Sequence, residues 1–189
     1  VMELEDQIGR ADVIDISKIE AGFIDVFEER IEVSALIDEA VQSVLPAARE
    51  KQLEISVSVP PGIMVQADRR RLLQCLLNFM SNAVKYTVEG KITVEAGVRG
   101  SWLDISVEDT GIGMDEIGLA RLFQPFERID SHLRVKTPGT DLGLYLTRKI
   151  ATELLSGSVD VSSTPGVGSR FSVHVPREGS GRAAIGVKP

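Results

Sequence analysis

Three short clusters hold most of the residue types that could act together in this chain. The first is Asn78, Asn82, Lys85 and Tyr86, within LLNFMSNAVKYT. At about 100° per residue, a helix brings Asn78, Asn82 and Lys85 within roughly 60° of one another. Asn is a mediocre helix former, so two of them one turn apart ask for a reason. Their carbonyl oxygens suit a hard cation, and the lysine ammonium suits phosphate. The plain alternative is a solvated helix face. The second cluster is Asp109-Thr110-Gly111-Ile112-Gly113, directly after a run ending near Glu108. A carboxylate at a strand end can accept hydrogen bonds from an amino group, and glycines let backbone approach a flat ligand closely. An ordinary Asp/Gly turn is the alternative. The third is Gly139-Thr140-Asp141-Leu142-Gly143-Leu144. Glycines before a helix present unpaired N–H groups to an anion. This cluster lacks P-loop spacing and does not follow a strand in a βαβ unit, which argues against a dinucleotide fold.

Local patterning supplies elements to carry these clusters. Asp68 is placed to cap a helix over 69–86, with Leu73, Leu76, Leu77, Met80 and Val84 as its apolar stripe. Strict alternation predicts strands over 53–59, 91–98 and 102–108, with Gly100 turning between the last two. Residues 23–31 also alternate, and a short strand over 63–66 is expected to return from the Pro60-Pro61-Gly62 turn. Ser34 is a candidate cap for a helix over 35–50, in which Pro46 predicts a kink or an early end. A helix over 142–155 and strands near 157–163 and 168–175 follow. Residues 109–140 are too long for a plain connection and read as a functional loop with a short helix near 115–122. Residues 1–20 read as a helix stopped at Gly22, either half of a helical hairpin or a solvated helix. The expected architecture is an α+β two-layer sandwich: one mixed, mainly antiparallel sheet of about five strands, with three helices on one face.

Composition narrows the function classes. The 189 residues are 43% hydrophobic and 26% charged, which excludes wholesale disorder. A net charge of −7 argues against a sequence-independent nucleic-acid binder. The single cysteine, Cys75, cannot form an internal disulfide, which fits a reducing compartment and a cytoplasmic setting. No apolar run approaches the roughly 20 residues that cross a bilayer, although a longer parent could be membrane-anchored. The chain opens on Val1 rather than Met, so a piece of a longer protein is expected.

Taken in order, the clusters resemble a known family. NxxxNAxKYT, DTGIGM, LFQPFER, PGTDLGLYLTRKI and GVGSRFSVHVP are similar to the five boxes of the sensor histidine kinase ATP-binding domain. ADVIDISKIEAG resembles the end of that family's dimerisation and phosphotransfer hairpin. The resemblance implies a hairpin remnant over 1–22, a catalytic domain over 23–177 and a tail or linker over 178–189. It implies that Asn82 binds Mg²⁺ bridging the ATP phosphates, with Asn78 lining the same region. Lys85 would meet phosphate oxygens, Tyr86 would stack near adenine, and Asp109 would accept from the adenine amino group. Gly111 and Gly113 would shape the adenine floor. Residues 114–138 would form an ATP lid, anchored by Phe123 and Phe126, with Arg128 reaching phosphate. Gly139, Thr140, Asp141, Leu142 and Gly143 would surround the phosphates. The implied reaction moves the ATP γ-phosphoryl group to a histidine, and later to a response regulator aspartate, in a parent that dimerises through the hairpin.

Two departures qualify that expectation. The only histidines, His132 and His174, lack the acceptor's context, so the acceptor helix is expected to be absent and the chain not to phosphorylate itself. Asp141 stands where the family usually has glycine. A carboxylate about 4 Å from phosphate charge would cost about 4 kcal/mol at an effective dielectric near 20, before screening by a cation. Weakened ATP binding, or a degenerate regulatory module without turnover, is therefore the alternative function. An Asp141 that merely caps the next helix would be harmless. Asn78 bears on the choice between kinase and ATPase relatives, because an amide cannot act as a general base toward water.

Overall fold

The computed structural model describes residues 13–124 and 142–179. Residues 13–20 form helix α1, closed at Gly22 with φ of 71° and a Phe23 N–H bond back to the Lys18 carbonyl. Then follow β1 (Glu28–Glu32), α2 (Val33–Glu50), β2 (Glu54–Ser58), β3 (Met64–Asp68) and α3 (Arg69–Tyr86). After these come β4 (Lys91–Arg99), β5 (Trp102–Asp109) and α4 (Glu116–Arg121). The last described elements are α5 (Gly143–Lys149), a wider π turn over Ile150–Leu154, β6 (Ser158–Thr164) and β7 (Gly168–Pro176).

The five-stranded sheet has the order β2-β4-β5-β7-β6, parallel only between β2 and β4. That parallel pair requires a crossover, and the segment through β3 and α3 supplies it. Alternation writes the inner face: Ile92, Val94 and Ala96 of β4, Leu103, Ile105 and Val107 of β5, and Phe171, Val173 and Val175 of β7 are buried. Helices α2 and α3 pack on each other and with α5 cover this face, and the Phe79 and Phe171 rings stack at 5.5 Å. The opposite face is polar. There Arg170 pairs with Glu95 at 2.8 Å and Glu108 at 2.7 Å, and His174 lies between Asp104 and Asp160. The two-layer α+β architecture expected from the sequence is thus observed.

Several local expectations are corrected. Residues 63–66 do not pair back onto the 53–59 strand; β3 pairs antiparallel with β1 in a separate two-stranded sheet. The strand expected over 23–31 begins only at Glu28, and the Phe27 N–H instead bonds the Asp68 carboxylate at 3.0 Å. Pro46 neither ends nor breaks α2. It lies on the exposed side, where water can satisfy the carbonyl its ring leaves unbonded. Ser34 is inside the first turn of α2 rather than its cap, and donates to Glu32 at 3.1 Å. The helix expected over 142–155 changes from α to π winding at Ile150.

Helix α1 docks on this body. Ile19 is buried in the core, and Asp15 accepts from the Arg71 guanidinium of α3 at 2.9 Å. Glu20 accepts from Tyr145 of α5 at 3.1 Å. Among the described residues, no helix is long and apolar enough to cross a membrane.

Candidate functional site

Helix α3 places the first cluster. Asp68 caps it, accepting the Arg71 N–H at 3.1 Å. Its buried row is Leu72, Cys75, Leu76, Phe79, Met80, Ala83 and Val84, so Leu73 and Leu77 lie at the rim of the stripe, only partly covered. The 3.6-residue period then leaves Asn78, Asn82 and Lys85 half-buried along one flank. The amide nitrogen of Asn78 donates to the Thr147 hydroxyl at 2.8 Å, and that hydroxyl donates to the Gly143 carbonyl at 2.9 Å. Thr147 is 2% exposed and was not a sequence candidate. Its signal, a lone hydroxyl on the buried side of α5, needs the helix phase to be read.

The second cluster is placed by strand parity. Leu103, Ile105 and Val107 face the core, so Asp109 continues the same row and is 5% exposed. Its carboxylate accepts the Gly111 N–H at 2.8 Å, and the backbone of Ser169 lies opposite it on β7. Burial pushes the carboxyl pKa above the ordinary carboxylate range, and the Gly111 N–H opposes that rise. The following loop is held on both sides. Ile112 N–H bonds the Tyr86 carbonyl at 3.2 Å at the end of α3, and Ile112's carbonyl accepts the Gly166 N–H at 2.8 Å from the β6–β7 turn. Met114 N–H bonds the Ser163 hydroxyl at 2.8 Å. A Cβ at Gly111 would stand 2.5 Å from the Tyr86 carbonyl oxygen. Gly113 has φ of 64°, and a Cβ there would stand 2.0 Å from the Thr164 carbonyl oxygen.

Between the two clusters lies a cavity of about 270 Å³ lined by Lys51, Lys85, Tyr86, Val88 and Ile112. Its lining is mostly apolar side chain, as a flat aromatic ligand prefers. The Lys85 ammonium lies 5.1 Å from the Tyr86 ring centre. Lys51, also missed from sequence, ends α2 and caps α3. Its ammonium donates to the carbonyls of Val84, Lys85 and Thr87 at 2.6, 3.0 and 3.2 Å. Backbone acceptors carry no side-chain signature, so nothing in the sequence pointed to this contact.

The third cluster is described only in part. Leu142 is buried and Gly143 begins α5 beside Asn78. Phe123 lies under the Arg148 guanidinium, 5.5 Å from its ring centre. Phe126, Arg128, Gly139, Thr140 and Asp141 lie outside the described residues. Among the described residues, no group of three His, Cys, Asp or Glu side chains is placed to hold a metal ion. Along the flank of α3 the side-chain oxygens are the amides of Asn78 and Asn82, a pair that suits a hard cation already carried by phosphate.

Comparison with known proteins agrees with this geometry. Residues 67–179 match the family described as histidine kinase-, DNA gyrase B-, and HSP90-like ATPase. The non-motile and phage-resistance protein of Caulobacter vibrioides is 39% identical over 170 residues, covering 87% of this chain and 20% of the relative. Sensor histidine kinase RcsC of Escherichia coli is 32% identical over 172 residues, covering 90% of this chain and 18% of the relative. The chain therefore spans about a fifth of the length of these relatives. The crystal structure of full-length ShkA in complex with AMPPNP superposes with a TM-score of 0.78 at 30% identity, covering 89% of this chain and 35% of that one.

Proposed function

The chain belongs to the histidine kinase-, DNA gyrase B- and HSP90-like ATPase family, as a sensor histidine kinase ATP-binding domain, and from that premise we propose how its residues use the nucleotide. Asp109 accepts the adenine amino group, with Gly111 and Gly113 as floor and Tyr86 and Ile112 as walls. Lys85 meets phosphate, with Asn82 and Gly143 along the same flank. Mg²⁺ suits the amide of Asn82, half-buried one turn from Asn78, and when bound would neutralise phosphate charge. Arg128, Gly139, Thr140 and Asp141 complete the phosphate end, and Phe123 with Phe126 anchors the lid.

The γ-phosphoryl group passes to a histidine on a helical hairpin of the parent protein, and from there to a response regulator's receiver domain. The parent acts as a cytoplasmic homodimer through that hairpin, to which residues 1–22 belong; residues 23–177 are the catalytic unit. Catalysis of this kind is positioning and charge neutralisation. A water-activating carboxylate is not needed, and position 78 carries an amide whose nitrogen is already bonded to Thr147.

The observation that carries the reading is the docking of the Asp109 loop onto the end of α3. The Ile112–Tyr86 bond ties the loop that follows Asp109 to the end of the asparagine helix, beside a cavity that Lys85, Tyr86 and Ile112 help to line. The test mixes this chain with a separate hairpin protein bearing a histidine and radiolabelled ATP. Label on the histidine is expected, dependent on Mg²⁺ and, at limiting ATP, much reduced in Asp109→Asn. A chain that binds ATP yet labels no histidine would overturn the transfer step.

A further inference from the structure

We infer that Thr147 is a positioning residue that sets the phosphate end of the site and leaves the purine end alone. The inference rests on the nucleotide reading above. Thr147 is almost wholly buried, and both capacities of its hydroxyl are committed. Its proton goes to the Gly143 carbonyl at 2.9 Å, so its oxygen can only accept from Asn78 at 2.8 Å. That polarity dictates the amide orientation: Nδ2 must face Thr147 and Oδ1 must face away from it. Oδ1 then lies against Gly143, where a Cβ would stand 2.6 Å from it. Position 143 has no room for a side chain while the amide holds this orientation.

One hydroxyl therefore locks two things together, the first turn of α5 and the Asn78 amide, on the flank of α3 that also carries Asn82. Cys75 adds a weak S–H contact to the Thr147 carbonyl at 3.9 Å, so the two helices meet at this residue on both its side chain and its backbone. Asp109, Gly111 and Ile112 take no part, being held by Tyr86, Ser169 and the β6–β7 turn. The two ends of the site thus share α3 but differ in the side chains that support them.

Thr147→Val keeps shape and burial while removing the hydroxyl; Thr147→Ser keeps the hydroxyl. Affinities for Mg-ATP and for adenosine are measured for all three proteins by titration followed by NMR. The valine variant should bind Mg-ATP about tenfold more weakly, the factor expected for one lost buried hydrogen bond, with adenosine affinity unchanged. The serine variant should behave as wild type. Equal weakening toward both ligands, or no weakening, would overturn the positioning role while leaving the nucleotide reading intact, as would a serine variant that matches the valine one. A wild-type chain that binds neither ligand would overturn both. Should the valine variant not fold, a serine variant with reduced Mg-ATP affinity alone still counts against the inference.

Discussion

Replacing Asp109 by asparagine separates recognition from stability, and the structure says in which direction each should move. The carboxylate is 5% exposed and held by the Gly111 N–H at 2.8 Å. Asparagine keeps the shape but turns one acceptor into a donor. Whichever way the amide is turned, a donor then faces either a backbone N–H or the purine amino group. A hydrogen bond to a charged group contributes about 1.5–3 kcal/mol, so ATP affinity should fall roughly 10- to 150-fold. Inosine triphosphate lacks the amino group, and its affinity should change far less. Calorimetric titration of both nucleotides against both proteins is the assay. A wild type that binds the two equally, or a variant that loses both in parallel, would refute the role assigned to the carboxylate.

The same residue fixes a pH dependence. Burial raises the folded-state carboxyl pKa above its unfolded value, so between the two values the folded chain holds more protons. Stability from this group is fully present below the unfolded pKa and is lost as pH rises through the folded one. Nucleotide binding needs the ionised form and runs the other way. Acidification through that window should therefore weaken ATP binding in wild type while this group adds stability to the bare domain. Both effects should vanish in Asp109→Asn, read as the difference between the two proteins in ATP affinity and in denaturant midpoint across pH.

Three further outcomes follow. Gly113→Ala puts a methyl group 2.0 Å from the Thr164 carbonyl at a φ of 64°, which should cost about 3 kcal/mol or more in urea unfolding and abolish ATP binding. Lys51→Met leaves the Val84 and Lys85 carbonyls of α3 and the Thr87 carbonyl just after it to water; a loss of about 1 kcal/mol in urea unfolding is expected, with Lys51→Arg close to wild type. Asp141→Gly removes a negative charge from the phosphate end proposed above and should tighten Mg-ATP binding several-fold in calorimetry, more at low salt than at high; equal affinities would discard that idea.

What the sequence disclosed depended on whether its cause was local. Helix α3 was expected over 69–86 and spans Arg69–Tyr86, because its cap at Asp68 and its apolar period are both written within the segment. The β4 and β5 boundaries were legible for the same reason: alternation ends where a turn begins. The partner of β3 was not, since a five-residue strand carries no record of which distant edge it meets, and β1 won over β2. At the site, Asp109 could be read as a carboxylate after a strand. Its burial is written in the parity of the run Leu103, Ile105, Val107, Asp109. Lys51 and Thr147 escaped for opposite reasons. One acts on backbone oxygens that every residue has, and the other acts through an asparagine on a helix 69 positions away.

These supports converge on α3, and the convergence ties the chemistry to the core. The helix offers its apolar row to the sheet, one flank to α5 and its last carbonyls to Lys51 and Ile112. Its rotation is set by the deeply buried Leu72, Cys75, Leu76, Phe79 and Met80, with Phe79 stacked on Phe171. Turning it by one residue, about 100°, would carry Asn82 to the buried azimuth of Ala83 and swing Val84 out to the half-buried azimuth of Lys85. Burying that amide without partners costs on the order of 1–3 kcal/mol, on top of the apolar surface exposed elsewhere on the helix. The phase that fills the core is therefore the phase that lines up Asn78, Asn82 and Lys85. A cavity at Phe79 should loosen the phosphate end of the site although that ring touches no nucleotide. The Asp109 loop should feel it less, because β5 and the β6–β7 turn hold that loop as well.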